Sequence, residues 1–164
     1  TNLPGVYAIG DVVGGYQLAH AAYAEGEAAI ADILGEDKPY GTVPVPVCTY
    51  TIPVLASVGL TTESAKAAGY DPVLGSFDYS ANGMALAEGA SGCVFVVADK
   101  ATTKTLGVTI VGENSSEMIA MAASAVSDAL TVEQWEKMVV AHPSLCEMVR
   151  EAALDAFGRS VHKG

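Results

Sequence analysis

The chain has 164 residues, 51% of them apolar, with eight basic against nineteen acidic side chains and a net charge of −11. That size and apolar share predict one sizeable core, or one domain plus a piece of another. The negative balance argues against nucleic acid and anionic membrane surfaces as partners, and no apolar run approaches the roughly 20 residues that span a bilayer.

Gly5, Val6, Tyr7, Ala8, Ile9 and Gly10 form a short apolar run that reads as one buried strand ending at Gly10 and Asp11. Gly14 and Gly15 follow, and then an Ala-rich helix over residues 16–34 that Gly35 stops. One strand and one helix cannot make a core, so this segment needs partners. Residues 36–46 read as a linker, because Pro39, Gly41, Pro44 and Pro46 push their neighbours towards extended conformations. A second domain, residues 47–164, opens with a strand over residues 47–58 that Pro53 interrupts as a bulge or edge. A helix over residues 61–68 is closed by Gly69, and a strand covers residues 73–79. Residues 93–98 and 106–111 are predicted strands joined by a polar turn, with Leu106, Val108 and Ile110 on one face. Three helices come last. Asn114 with Glu117, Thr131 with Gln134 and Ser144 with Glu147 have capping-box spacing at their starts. In the third, Leu145, Met148, Val149, Ala152, Ala153, Ala156 and Phe157 form a stripe at helical spacing. Strands first and helices after imply an α+β fold with an antiparallel sheet.

The three cysteines, Cys48, Cys93 and Cys146, are far apart. They make neither a closely spaced redox pair nor a zinc-ligand pattern, and they read as buried thiols of a reducing compartment. With no recognisable leader, the expectation is a soluble, cytoplasmic protein without a metal site.

Two motifs carry chemistry. Asp11, at the end of an apolar strand and before a helix N-terminus, can accept hydrogen bonds from sugar-alcohol hydroxyls, while Gly10, Gly14 and Gly15 allow close backbone approach. The same residues also suit an ordinary strand-to-helix turn. His142, Pro143, Ser144, Leu145, Cys146 and Glu147 form the second motif. A histidine titrates near neutral pH and suits proton exchange with a thiol, and Glu147 could orient the ring. Equally, Ser144 and Glu147 could be a helix cap, Pro143 a helix starter and His142 incidental.

The first motif resembles the second flavin-binding motif of the FAD/NAD-linked disulfide reductases. That resemblance implies that Asp11 holds the FAD ribityl chain and that Gln17, Leu18, Ala19 and His20, followed by Glu25 and Gly26, cover the flavin's pyrimidine edge. The second motif resembles the His-Pro-Thr/Ser-Leu-x-Glu signature of the dihydrolipoamide dehydrogenases within that family. It implies His142 as the acid/base for a dithiol, acting in the other subunit's site, with Glu147 as its partner. Residues 48–53, 58–61, 81–83 and 110–112, together with Glu117, are similar to the family's interface domain. Val54, Met84, Val140 and Ser144 depart from it, where glutamate, arginine, histidine and threonine are commoner.

The resemblance implies the C-terminal part of a longer homodimeric enzyme. Residues 1–35 would be the strand–helix tail of its FAD domain, and residues 47–164 its α+β dimerisation domain. The parent would oxidise dihydrolipoamide on a lipoyl-bearing protein of a 2-oxoacid dehydrogenase or glycine cleavage complex, using FAD and NAD. The chain holds no GxGxxG and no redox cysteine pair, so alone it is expected to be inactive and to bind neither cofactor. The alternatives are a fragment of a glutathione- or mercury-type reductase and a non-catalytic dimerisation module. Mercury reductases usually end in a cysteine pair, which this chain lacks.

Overall fold

In the computed structural model, which describes residues 1–36, 41 and 43–163, the chain divides into two units, Thr1–Val45 and Pro46–Gly164. Pro39 of the expected linker lies outside the described residues.

In the first unit, residues 5–9 do not form the expected buried strand. Ile9 is extended, but the segment joins no ladder, and Val6 and Ile9 are each 48% exposed. A strand exists only where neighbours satisfy its N–H and C=O groups, and this unit offers none among the described residues. Gly10–Val13 forms a 3₁₀ turn. Helix α1, Ala19–Leu34, starts three residues later than expected, because Gln17 has φ of +50° and Leu18 is extended. It ends as expected at Gly35, which is left-handed and donates to the Ala31 and Asp32 carbonyls, the closure that glycine makes without strain. Tyr7 O–H donates to the Asp32 carboxylate. Much of α1 stays open: Tyr23, Ile30, Ile33 and Leu34 are exposed, and only Ala21 and Ala31 are buried.

The second unit is the α+β fold with an antiparallel sheet. Residues 47–58 are not one interrupted strand but two, β1 (Val47–Thr49) and β2 (Leu55–Gly59), paired antiparallel with Pro53 in the reversal between them. Helix α2 is Thr62–Ala67, capped by Thr61 and Ser64. Strand β3 is Pro72–Asp78, and helix α3, Gly83–Glu88, follows it as an element additional to the expected ones. Strands β4 (Gly92–Asp99) and β5 (Thr105–Gly112) form a hairpin whose turn is fixed by the Asp99 carboxylate, which accepts from Thr102 N–H and Oγ. Helices α4 (Ser115–Ser127), α5 (Val132–Lys137) and α6 (Glu147–Asp155) complete it.

The sheet order is β1-β2-β5-β4-β3. One row, Cys48, Ala56, Ile110, Val94 and Phe77, crosses all five strands in register. Side chains alternate faces along a strand, so this row and its neighbours Val58, Val108 and Val96 make one apolar face. Helix α4 covers it over β2 and β5, and α6 covers it over β3 and β4. Met118, Ile119, Met148, Val149 and Leu154 fill the space between, each buried side chain contributing roughly 1.5–3 kcal/mol. Leu106 does not share the face of Val108 and Ile110. The register shifts at Val97 and Ala98, and Leu106 packs instead with Ala65, Val97 and Leu60, as a β-bulge re-aims a side chain.

Candidate functional site

The segment between α5 and α6 has no regular structure, so the direction of His142 depends on what holds that segment. Most of the holding comes from the first turn of α6. Glu147 Oε1 lies 2.9 Å from His142 Nδ1, and its Oε2 accepts the Ser144 N–H at 2.8 Å. The Ser144 hydroxyl donates to the Ala141 carbonyl at 2.6 Å. From α3, Asn82 Nδ2 donates to the Ser144 carbonyl at 3.0 Å. Arg150 donates from Nε to the Trp135 and Met138 carbonyls and from Nη2 to that of Glu136, each at 3.1 Å. It thereby satisfies carbonyls left over at the end of α5.

These bonds alter the expected helix start. Helix α6 begins at Glu147, not at Ser144, and its N-cap is Cys146. Only half of the expected capping box forms: Glu147 accepts from Ser144, whose own hydroxyl turns back to Ala141. Pro143, in a cis peptide with His142, is not the first helical residue. The expected box at Asn114 does not form either, since Asn114 is left-handed and makes no side-chain cap. At Thr131 the N–H does donate to Gln134 Oε1, at 2.8 Å.

The His142 side chain is 79% exposed and that of Glu147 24%. Burial pushes the Glu147 carboxyl up, but the Ser144 N–H, the His142 hydrogen bond and the nearby His142 and His162 imidazoles outweigh it and hold it below its usual range. Glu147 therefore stays ionised at neutral pH. An ionised carboxylate favours the tautomer with hydrogen on Nδ1, which leaves Nε2 free to take up a proton.

Three contributors were not singled out from sequence: Glu151, His162 and Arg150. Glu151 is 3% exposed. Its Oε2 accepts from Ser160 Oγ at 2.7 Å, Val161 N–H at 2.9 Å and His162 N–H at 3.1 Å, while Oε1 accepts from Arg150 Nη1 at 3.1 Å. The anchored His162 shares a cavity of about 400 Å³ with His142, Glu147, Glu151, Asn82 and Phe77. The i,i+4 spacing of Glu147 and Glu151 places both on one face of α6, and that spacing was the available signal.

Asp11 stands in the 3₁₀ turn, exposed, and its carboxylate takes no hydrogen bond from the described residues. Gly10, before it, donates its N–H to Glu25 Oε2 at 2.6 Å. A Cβ at Gly10 would meet that of Ala22 at 3.7 Å, so the turn packs on the first turns of α1. Leu18 is half-buried, while Gln17, Ala19 and His20 are exposed around the start of that helix. An open carboxylate of this kind can accept hydrogen bonds from hydroxyl groups. Cys48, Cys93 and Cys146 are free, only half-buried, and held as thiols, burial pushing each above the usual thiol range. Among the described residues no group of His, Cys, Asp and Glu could hold a metal ion, and no helix is long and apolar enough to cross a membrane.

Over residues 45–153 the chain matches the family described as pyridine nucleotide-disulphide oxidoreductase, dimerisation domain. It is 39% identical over 163 residues to a dihydrolipoyl dehydrogenase of Bacillus subtilis (strain 168), covering 99% of this chain and 36% of that protein. To a dihydrolipoyl dehydrogenase of Halobacterium salinarum it is 42% identical over 163 residues, covering 99% and 34%. Among solved structures, the HOCl-induced flavoprotein disulfide reductase RclA from Escherichia coli matches with a TM-score of 0.81 at 25% identity, over 90% of this chain and 34% of that one. The chain thus spans about a third of the length of the curated relatives it matches. The family match takes in well over half of the chain, which therefore belongs to the pyridine nucleotide-disulphide oxidoreductases and carries their dimerisation domain.

Proposed function

We propose that this chain works as part of a longer, homodimeric, flavin-dependent dihydrolipoyl dehydrogenase, in which His142 and Glu147 form the acid/base pair. The observation that carries the reading is one carboxylate bonded on one oxygen to an exposed imidazole and on the other to that imidazole's own loop. Structure is invested in the direction of a side chain that packs against little of its own chain.

The chemistry follows from the atoms. A thiolate, not a thiol, attacks a disulfide. His142 Nε2 would take the proton of a dihydrolipoyl thiol while Nδ1–H stays on Glu147, and the carboxylate would stabilise the imidazolium that forms. The ring would return the proton in the reverse direction. Flavin, when bound, would supply the two-electron link between the dithiol and a nicotinamide. Asp11, with residues 17–20 beside it, would bind and orient that flavin on one edge. By the family resemblance His142 serves the partner subunit's site, so Asp11 and His142 of one chain belong to different sites of the dimer. The dithiol would arrive on a lipoyl-bearing protein in the cytoplasm, where unpaired thiols such as the three here persist. Those thiols make no redox pair and the chain holds no GxGxxG, so the chain alone is expected to be inactive and, binding no flavin, colourless.

The test is steady-state turnover, flavin content and melting of the full-length flavoprotein. His142→Gln is expected to lower dihydrolipoamide oxidation by about 10²–10⁴-fold, the range of general-base catalysis, with flavin and Tm unchanged. Glu147→Gln is expected to lower it less. The amide keeps one acceptor oxygen and loses the second, at a cost of about 1 kcal/mol in stability. Normal turnover in both variants, or losses that only track unfolding, would leave the pair as a helix start.

A further inference from the structure

Resting on the reading of His142 as the proton carrier, we propose that Asn82 is a positioning residue for it: its side-chain amide ties the His142 loop to α3 and so fixes the imidazole against Glu147.

Asn82 is 5% exposed, so both ends of its amide need partners. Oδ1 accepts the Ala85 N–H at 2.9 Å and caps α3, while Nδ2 donates to the Ser144 carbonyl at 3.0 Å. One partner is an N–H and the other a carbonyl, so only one orientation of the amide satisfies both. Capping alone does not require asparagine, since serine and aspartate cap helices as well. The donor to Ser144, 62 residues away, is what only the amide supplies. With it the Ser144 peptide is held on both sides, N–H by Glu147 Oε2 and carbonyl by Asn82. Glu147 alone fixes ring and loop to each other but leaves both free to turn with the start of α6. Asn82 adds a reference point on a different element. It also borders the cavity that His142 and Glu147 border.

The experiment separates the cap from the donor. Asn82→Asp keeps an acceptor for Ala85 and, ionised, has no donor for Ser144, while Asn82→Ser keeps an acceptor but its hydroxyl, on Cβ, falls short of the position Nδ2 donates from. In the ¹⁵N-labelled chain, imidazole shifts above the histidine titration range report the His142 tautomer. The wild type is expected to show Nδ1–H. Both variants are expected to move towards the Nε2–H form usual in water, with helix content retained. In the full-length flavoprotein kcat is expected to fall about three- to tenfold, the scale of one hydrogen bond, with KM unchanged. An unchanged tautomer in both variants overturns the proposal. So do Asn82 amide protons that exchange in the wild type as fast as those of an exposed asparagine, a readout that needs no variant. If the tautomer shifts but His142→Gln turns over normally, Asn82 still positions the ring and it is the role of His142 that fails.

Discussion

Glu151 is a carboxylate with almost no access to water, and its Oε2 alone accepts three hydrogen bonds from residues 160–162. Burial pushes its carboxyl up, yet the His162 N–H, the Ser160 hydroxyl and the Val161 N–H outweigh it and hold it below the usual range. A depressed folded-state value stabilises the fold only while the group is ionised. The contribution is complete above the unfolded value of about 4.3 and is lost as the pH falls through the lower folded value. Glu151→Gln is expected to cost about 2–4 kcal/mol in urea unfolding at neutral pH, because a neutral amide replaces a charge-assisted acceptor and turns a donor towards N–H groups. The difference from wild type is expected to shrink below pH 4, and a variant as stable as wild type at pH 7 would contradict the anchoring role. In the sequence only the i,i+4 spacing from Glu147 pointed to Glu151, and nothing marked its burial. Its burial depends on a return of the chain at residues 160–162 that no local pattern marks. The short, local spacing of His142 and Glu147 put both in one motif but left it open between a paired imidazole and a helix cap.

Helix α6 reaches β3 where the strand carries no side chain. A Cβ at Gly75 would overlap the Ala152 carbonyl oxygen and the Ala156 nitrogen, so the helix backbone lies directly on the strand. Gly75→Ala is expected to cost about 2–3 kcal/mol by overpacking. It is also expected to lower turnover of the full-length enzyme, because the helix it displaces carries Glu147, Arg150 and Glu151. Thermal melting beside turnover checks both, and an unchanged Tm would show that the helix can give way. The stripe on α6 was plain in sequence because one apolar face against one polar face leaves a period, while β4 and β5 stood out as short apolar runs either side of a polar turn. Helix α3 did not, since six residues carry too little period to stand out and its only marks are Asn82 and Gly89. Residues 5–9 have the apolar pattern of a strand but not the neighbours. Pairing, not propensity, decides whether such a segment joins a sheet. Pro53 suggests a bulge or an edge in sequence and marks a reversal in the structure, because a proline says where a ladder stops and not how the chain continues beyond it.

At the scale of the molecule, the two units differ in how far they satisfy themselves. Residues 46–163 hold a continuous core under five strands. The first unit leaves Val12 82% exposed and Leu34 66%, apolar surface that the flavin domain proposed above would cover. On the proposed reading the chemistry would divide in the same place, with Asp11 for flavin in one site and His142 for proton transfer in the partner's, and a two-fold dimer would hold two such composite sites. The direct measurement is therefore complementation in the full-length enzyme. Asp11→Ala and His142→Gln are made separately, each homodimer is shown to be nearly inactive, and the two are mixed into hybrid dimers purified by two tags. One site of the hybrid then takes flavin from the His142→Gln protomer and its base from the Asp11→Ala protomer, and is complete. The expected result is about half the wild-type turnover per dimer. A hybrid as inactive as its parents would contradict the division, placing Asp11 and His142 of one chain in one site.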